Sequence, residues 1–180
     1  MNIQQSDDLT TLAQKIAAAA ALEGVYVLRS GQVSSRYFDK YRFEGNPALL
    51  RPLARAMAEL MPADTEILAG LELGGIPLVT AISLETGLPA AFVRKEAKAY
   101  GTRRAIEGQD IAGRRITFIE DVITTGGAVA DAYRLALADN AEVLAVVCAI
   151  WRGEGTPNIT DVLGLRVIPV FTRGDLEGVL

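Results

Sequence analysis

The sequence predicts an α/β fold: a central, mostly parallel sheet flanked by helices, with a small N-terminal hood. Three observations carry this. From about residue 45 onward, apolar strand-like runs alternate with segments of helical spacing, the pattern of a parallel sheet joined by right-handed crossovers. Glycine turns fall where a strand gives way to a helix, in "GLELGGIPL" (70–78) and "DVITTGGAV" (121–129). Residues 1–44 do not follow that rhythm and are expected to form a cap on the 45–180 core, all within one domain of 180 residues.

Taken in order, residues 7–22, "DDLTTLAQKIAAAAAL", read as a helix with acidic and threonine capping candidates. Residues 24–43 read as two short strands around a polar turn at Ser30 and Gly31. The segment 46–61 has leucine and alanine at helical spacing, with Asn46 and Pro47 in the cap and first-turn positions. Residues 66–87 read as strand, glycine turn and helix, and 89–95 as a strand. A long polar segment, 96–113, precedes the strand "RRITFIE" (114–120). A helix from Gly127 ends at Asn140, and strands at 142–151 and 164–172 complete the pattern.

Composition excludes several classes. Half the residues are hydrophobic and 22% are charged, ordinary values for a globular chain. A net charge of -4 gives no global reason to expect nucleic-acid binding. No apolar run is long enough to span a bilayer and no secretory signal opens the chain, so the cytoplasm is the expected location. The single cysteine, Cys148, lies in "VLAVVCAI" and reads as a buried structural thiol. There is no histidine at all, which rules out Ser-His-Asp and Cys-His catalysis and histidine-bound zinc. Any metal must take oxygen ligands, in the manner of magnesium or calcium.

In parallel sheets ligands bind beyond the carboxyl ends of the strands, and three loops stand there. The first, "ITFIEDVITTGGAV" (116–129), ends a strand on Glu120 and Asp121 and enters a helix through Thr124, Thr125, Gly126 and Gly127. Backbone N–H groups of such a turn and the positive end of a helix cradle an anion, yet the two carboxylates repel one. A ribose 5-phosphate resolves the conflict, with phosphate on the loop and hydroxyls on the acids. Taken alone, a glycine turn of this kind is more often a strand end and a capped helix with both acids solvated, and no P-loop lysine follows the glycines. The second loop, Gly70–Leu78, allows close backbone approach at Gly74 and Gly75, or is simply a tight turn. The third, "VRKEAKAYGTRRAIEG" (93–108), sets Arg94, Lys95, Lys98, Arg103 and Arg104 against Glu96 and Glu107. That excess of cations suits a polyanion such as pyrophosphate, although a solvated loop has the same composition. A polar loop of this length in a compact domain is more often a functional lid.

Together these residues resemble a type I phosphoribosyltransferase. "FIEDVITTGGAV" is similar to that family's motif for phosphoribosyl pyrophosphate (PRPP). "VRKEAKAYG" resembles the catalytic loop of the orotate phosphoribosyltransferases within it, "LRSGQVSSRYFDK" their orotate-contacting segment, and "IWRGEG" the strand-end arginine that meets the orotate carboxylate. The similarity runs from about residue 20 to 175. It implies that Glu120 and Asp121 hold the ribose hydroxyls, directly or through Mg2+ that is otherwise carried by substrate oxygens. It further implies that Thr124, Thr125, Gly126, Gly127 and Ala128 bind the 5-phosphate, with Val122 and Ile123 in the same PRPP-binding run. Glu72, Leu73, Gly74 and Gly75 would line the pyrophosphate, where the family often has a cis peptide. Arg94, Lys95 and Lys98 would neutralise it, with the loop 94–104 shared across a homodimer. Arg29, Ser34, Tyr37, Phe38, Thr124 and Arg152 would form the orotate pocket, with Tyr37 and Phe38 flanking the flat ring. Lys98, Tyr100, Glu120 and Asp121 are the implied catalytic set. The resemblance implies transfer of phosphoribose from PRPP to orotate, giving orotidine 5'-phosphate and diphosphate.

The chain departs from the family at three of these positions. Arg29 stands for a usual lysine, Trp151 for a usual acid beside Arg152, and Tyr100 for the loop histidine. An unperturbed tyrosine, with pKa near 10, is a poor base at neutral pH. The departures leave two alternatives, a phosphoribosyltransferase for another base and a regulatory protein that binds PRPP without turnover.

Overall fold

The computed structural model of the chain describes residues 3–27, 31–95, 105–159 and 164–176. Helix α1 (Ile3–Ala20) leads into a hairpin of β1 (Ala21–Val27) and β2 (Val33–Phe38), followed by a one-turn helix α2 (Tyr41–Glu44). Then come α3 (Pro47–Glu59), β3 (Ile67–Leu71), α4 (Gly75–Thr86), β4 (Ala90–Val93), β5 (Ile106–Gly108), β6 (Arg115–Ile123), α5 (Gly127–Ala138), β7 (Glu142–Trp151) and β8 (Val167–Thr172). Among the described residues six strands form one sheet in the order β5-β4-β3-β6-β7-β8, all parallel except the edge strand β5.

Strand alternation sorts the core into two layers. Ala69, Phe118, Val146 and Cys148 face α5, which contributes Val129, Ala132 and Ala136. Leu68, Ile119, Val147 and Ala149 face the other way, onto Leu53 and Met57 of α3 and Leu78 and Ile82 of α4. The caps follow local chemistry. Asn46 accepts a hydrogen bond from the Ala48 N–H at 3.0 Å with Pro47 at the first helical position, as expected, and Asn140 takes a left-handed φ of 56° just after α5.

Four differences from the sequence reading have physical causes. Helix α1 begins at Ile3, so Asp7 and Asp8 lie within it and do not cap it, and Ala21 and Leu22 belong to β1, opposite Phe38 and Tyr37. Alanine favours a helix, but cross-strand pairing decides the state of these two residues. Helix α1 also buries Leu12, Ile16 and Ala20 in the α3–α4 layer, so the hood is reduced to the hairpin and α2, with α2 anchored in that same layer through Phe43. Strand β5 hides in the polar segment because it is three residues long and pairs on one side only. Finally, β6 runs on to Ile123, three residues past its expected end at Glu120.

Cys148 is buried and unpaired by disulfide, and burial pushes its thiol well up from the usual range, as befits a structural residue. No helix among the described residues is long and apolar enough to cross a membrane.

Candidate active site

The chain leaves β3 towards β4 on one side and β6 towards β7 on the other, so the crossovers diverge between the neighbouring strands β3 and β6. Such a switch point opens a crevice at the carboxyl edge. A cavity of about 560 Å³ lies there, lined by Leu71 and Glu72 after β3, Val93, Arg94 and Lys95 after β4, and Glu120 with residues 122–129 after β6. Asp131, Ala132 and Leu135 of α5 complete the wall. Three separate loops of the sequence thus meet in one space.

The wall is chemically divided. Thr124, Thr125, Gly127 and Ala128 are exposed at the start of α5, offering hydroxyls, backbone N–H groups and the positive end of the helix dipole. Arg94 and Lys95 bring two cations to the β4 side. Between them stands Glu120, 9% exposed, whose Oε2 has no hydrogen-bond partner. Burial first, and the charge of Asp121 second, hold its carboxyl well above the usual carboxylate range. A buried oxygen without a partner, aimed into a polar cavity, is a site for a hydroxyl or a cation.

Asp121 does something else. Because β6 continues to Ile123, successive side chains alternate, and Asp121 points to the opposite face of the sheet from Glu120. It is fully buried and does not line the cavity. Its Oδ2 is ion-paired with Lys40 of the hood and fills the space where a side chain at Gly74 would begin, while Oδ1 accepts from the Val122 N–H at 2.5 Å. Burial lowers the Lys40 pKa, but hydrogen bonding and charge from Asp121 outweigh it, and the ammonium ends above its usual range. Beside this pair lies Glu44, 3% exposed, with no hydrogen bond to either carboxylate oxygen in the described structure. Burial and then the neighbouring Asp121 push its pKa to about 8.

The second loop contains a cis peptide between Glu72 and Leu73. Glu72 lines the cavity; Leu73 is exposed, while Gly74 and Gly75 are buried behind it, against Asp121 and the Ile119 carbonyl.

Of the residues expected around a flat base, Arg152 and Phe38 are brought together, the guanidinium lying 5.7 Å from the ring centroid. Burial, and then the nearby Arg173, lower the Arg152 pKa from its usual value. Tyr37 and Phe38 are neighbours in one strand and face opposite ways, which prevents both from flanking the same ring. Tyr37 stacks on Tyr26 at 5.3 Å instead. The Ser34 hydroxyl is engaged within its own hairpin, donating to the Arg36 carbonyl at 2.7 Å. Trp151 is 4% exposed and packs against Gly153, beside the Thr124 carbonyl of the threonine-glycine loop. Arg29, Lys98 and Tyr100 lie outside the described residues.

The sequence reading missed Lys40, Glu44 and Asp131. For the first two a signal existed, since residues 40 and 44 have the spacing that puts two side chains on one helical face. Asp131, one turn into α5, carried none beyond its proximity to the loop.

An enzyme named orotate phosphoribosyltransferase from a Nocardioides species is 53% identical over 167 residues, covering 93% of this chain and 93% of its own. The chain belongs to the orotate phosphoribosyltransferase family. A second orotate phosphoribosyltransferase, from Methanopyrus kandleri, is 39% identical over 93% of the chain and 91% of its own length. The fold agrees: orotate phosphoribosyltransferase from Mycobacterium tuberculosis superposes with a TM-score of 0.82 at 31% identity, covering 94% of this chain and 99% of that one. The same enzyme solved with 5-phospho-α-D-ribosyl 1-diphosphate gives 0.80 at 28% identity, covering 94% and 98%. No family model matches the chain.

Proposed function

We propose that the protein transfers the phosphoribosyl group from PRPP to orotate, releasing diphosphate. The observation that carries this is the divided cavity, with an anion cradle at one end, two cations at the other and an unpartnered buried carboxyl between them. The 5-phosphate takes the Thr124–Ala128 loop and the diphosphate takes Arg94 and Lys95, with Glu72 at its edge. Of the two adjacent acids, we assign Glu120 to the ribose hydroxyls, because Asp121 is occupied by Lys40. The orotate carboxylate is assigned to Arg152 beside Phe38, where a planar guanidinium offers a two-pronged donor.

In the transfer, the bond from the anomeric carbon to the diphosphate oxygen breaks as the bond to the orotate nitrogen forms, and the proton that nitrogen carried is released to solvent or to the departing diphosphate. Positive charge develops on the sugar and negative charge on the leaving group, so the protein contributes position and electrostatics rather than a nucleophile. Glu120 faces the sugar, and Arg94 and Lys95 face the leaving group. Among the described residues no three acids or thiols are grouped to hold a metal. The unpartnered Glu120 Oε2 fits a cation carried mainly by substrate oxygens. We assign Mg2+ to that place, where it would neutralise the departing diphosphate.

Orotate absorbance is expected to fall when the protein meets PRPP and Mg2+, and no turnover at high enzyme concentration would refute the activity. In the same assay Arg152→Ala should raise KM for orotate about 10–100-fold, the worth of a charged hydrogen-bond pair, and leave KM for PRPP nearly unchanged. We further propose a homodimer that shares the loop 94–104. Mixing inactive Lys98→Ala and Glu120→Ala proteins should then restore part of the activity through hybrid dimers; silence despite subunit exchange would place Lys98 in its own subunit's site.

A further inference from the structure

The phosphate-binding loop has little to hold it from within. The residue capping α5, Gly126, has a left-handed φ of 81° and no side chain with which to close the turn. What fixes the loop comes from the segment after β7. The Arg152 N–H donates to the Ile123 carbonyl at 2.8 Å. Gly153 lies so close that a Cβ there would sit 2.8 Å from the Thr124 carbonyl oxygen and 2.7 Å from Trp151 Cε2. Ile159, fully buried, presses on Gly126, where a Cβ would come within 2.6 Å of its Cγ1. Residues 123, 124 and 126 are therefore each braced from one stretch, 152–159, and that stretch also carries Arg152 over Phe38.

We propose that Gly153 and Ile159 are positioning residues for the phosphate end of the substrate, with Trp151 as the fixed wall behind Gly153. They touch no substrate; they set where the Thr124 and Gly126 backbone stands. The inference rests on the assignment of this loop to the 5-phosphate. Adding a methyl group at 153 pushes on a backbone carbonyl and a packed indole, so the loop must shift. Removing the Ile159 side chain frees Gly126 from the other direction. Both changes misplace donors that must meet a phosphate within a few tenths of an ångström.

The test is calorimetric binding of ribose 5-phosphate, alongside steady-state kinetics. Gly153→Ala and Ile159→Ala should each weaken ribose 5-phosphate binding and raise KM for PRPP by about tenfold or more, with kcat at saturation within about twofold. Trp151→Leu, which removes the indole, should recover most of the loss when combined with Gly153→Ala. If Gly153→Ala fails to fold, Ile159→Ala carries the test alone. Wild-type affinity in the folded variants, or equal losses of kcat and of both substrate affinities, would overturn the positioning role. A wild-type protein that binds no ribose 5-phosphate would overturn the loop assignment itself, and the positioning role with it.

Discussion

Lys40→Met is expected to lower the unfolding free energy by about 3 kcal/mol at pH 7, one of the two largest effects predicted for this chain. Asp121 is fully buried and Lys40 is its ion-pair partner, so deleting the ammonium leaves a carboxylate in the interior without compensation. Breaking one half of a buried pair costs about 3–5 kcal/mol, and the lower figure applies because the Lys40 side chain is 32% exposed and water screens the pair. The double variant Lys40→Met/Asp121→Asn removes both charges and should recover most of the loss. Urea denaturation measures both. A single variant within about 1 kcal/mol of the wild type would mean that the pair does not hold the hood to β6.

The effect should also reach the site. Asp121 lies against Gly74, and Glu120 is its neighbour in the strand, so a shifted Asp121 disturbs the diphosphate loop on one side and the ribose acid on the other. The hood, the 72–75 loop and the end of β6 meet at this one carboxylate.

How much of this was legible in the sequence depends on length and period. The parallel core showed because each strand and helix is long enough to display its period, as in 142–151, where the strand bounds match the apolar run. The cavity loops showed because glycine, threonine and charge cluster where strands end. The parting of Glu120 and Asp121 did not show. It depends on β6 continuing through two acids and a valine to Ile123, and a charged dipeptide reads as the end of a strand. The clasp of Lys40 on Asp121, with Glu44 beside it, was marked only by one four-residue spacing, because a one-turn helix shows no further period and burial of a glutamate runs against its usual preference. Tyr37 and Phe38 show the same failure in reverse: two aromatics side by side suggest one pocket until a strand turns them to opposite faces.

Glu44 supplies the second large expectation, a stability that falls as pH rises through neutrality. Its pKa is about 8 in the folded protein against an ordinary 4.5, chiefly through burial and then through the neighbouring charge of Asp121. Between those two values the folded chain keeps a proton that the unfolded chain has released, so raising the pH favours unfolding. Each pH unit in that window removes up to about 1.4 kcal/mol, or roughly 2–3 kcal/mol between pH 5 and pH 7. Glu120, shifted the same way for the same first cause, adds to the slope. Lys40 does not oppose it there, since its raised pKa acts only at alkaline pH. Glu44→Gln replaces the protonated carboxyl by a neutral group of the same shape, so its stability should match the wild type near pH 5 and exceed it at pH 8. Denaturant midpoints across that range decide the matter: converging curves at low pH support a neutral Glu44 against Asp121, and parallel curves for the two proteins would exclude it.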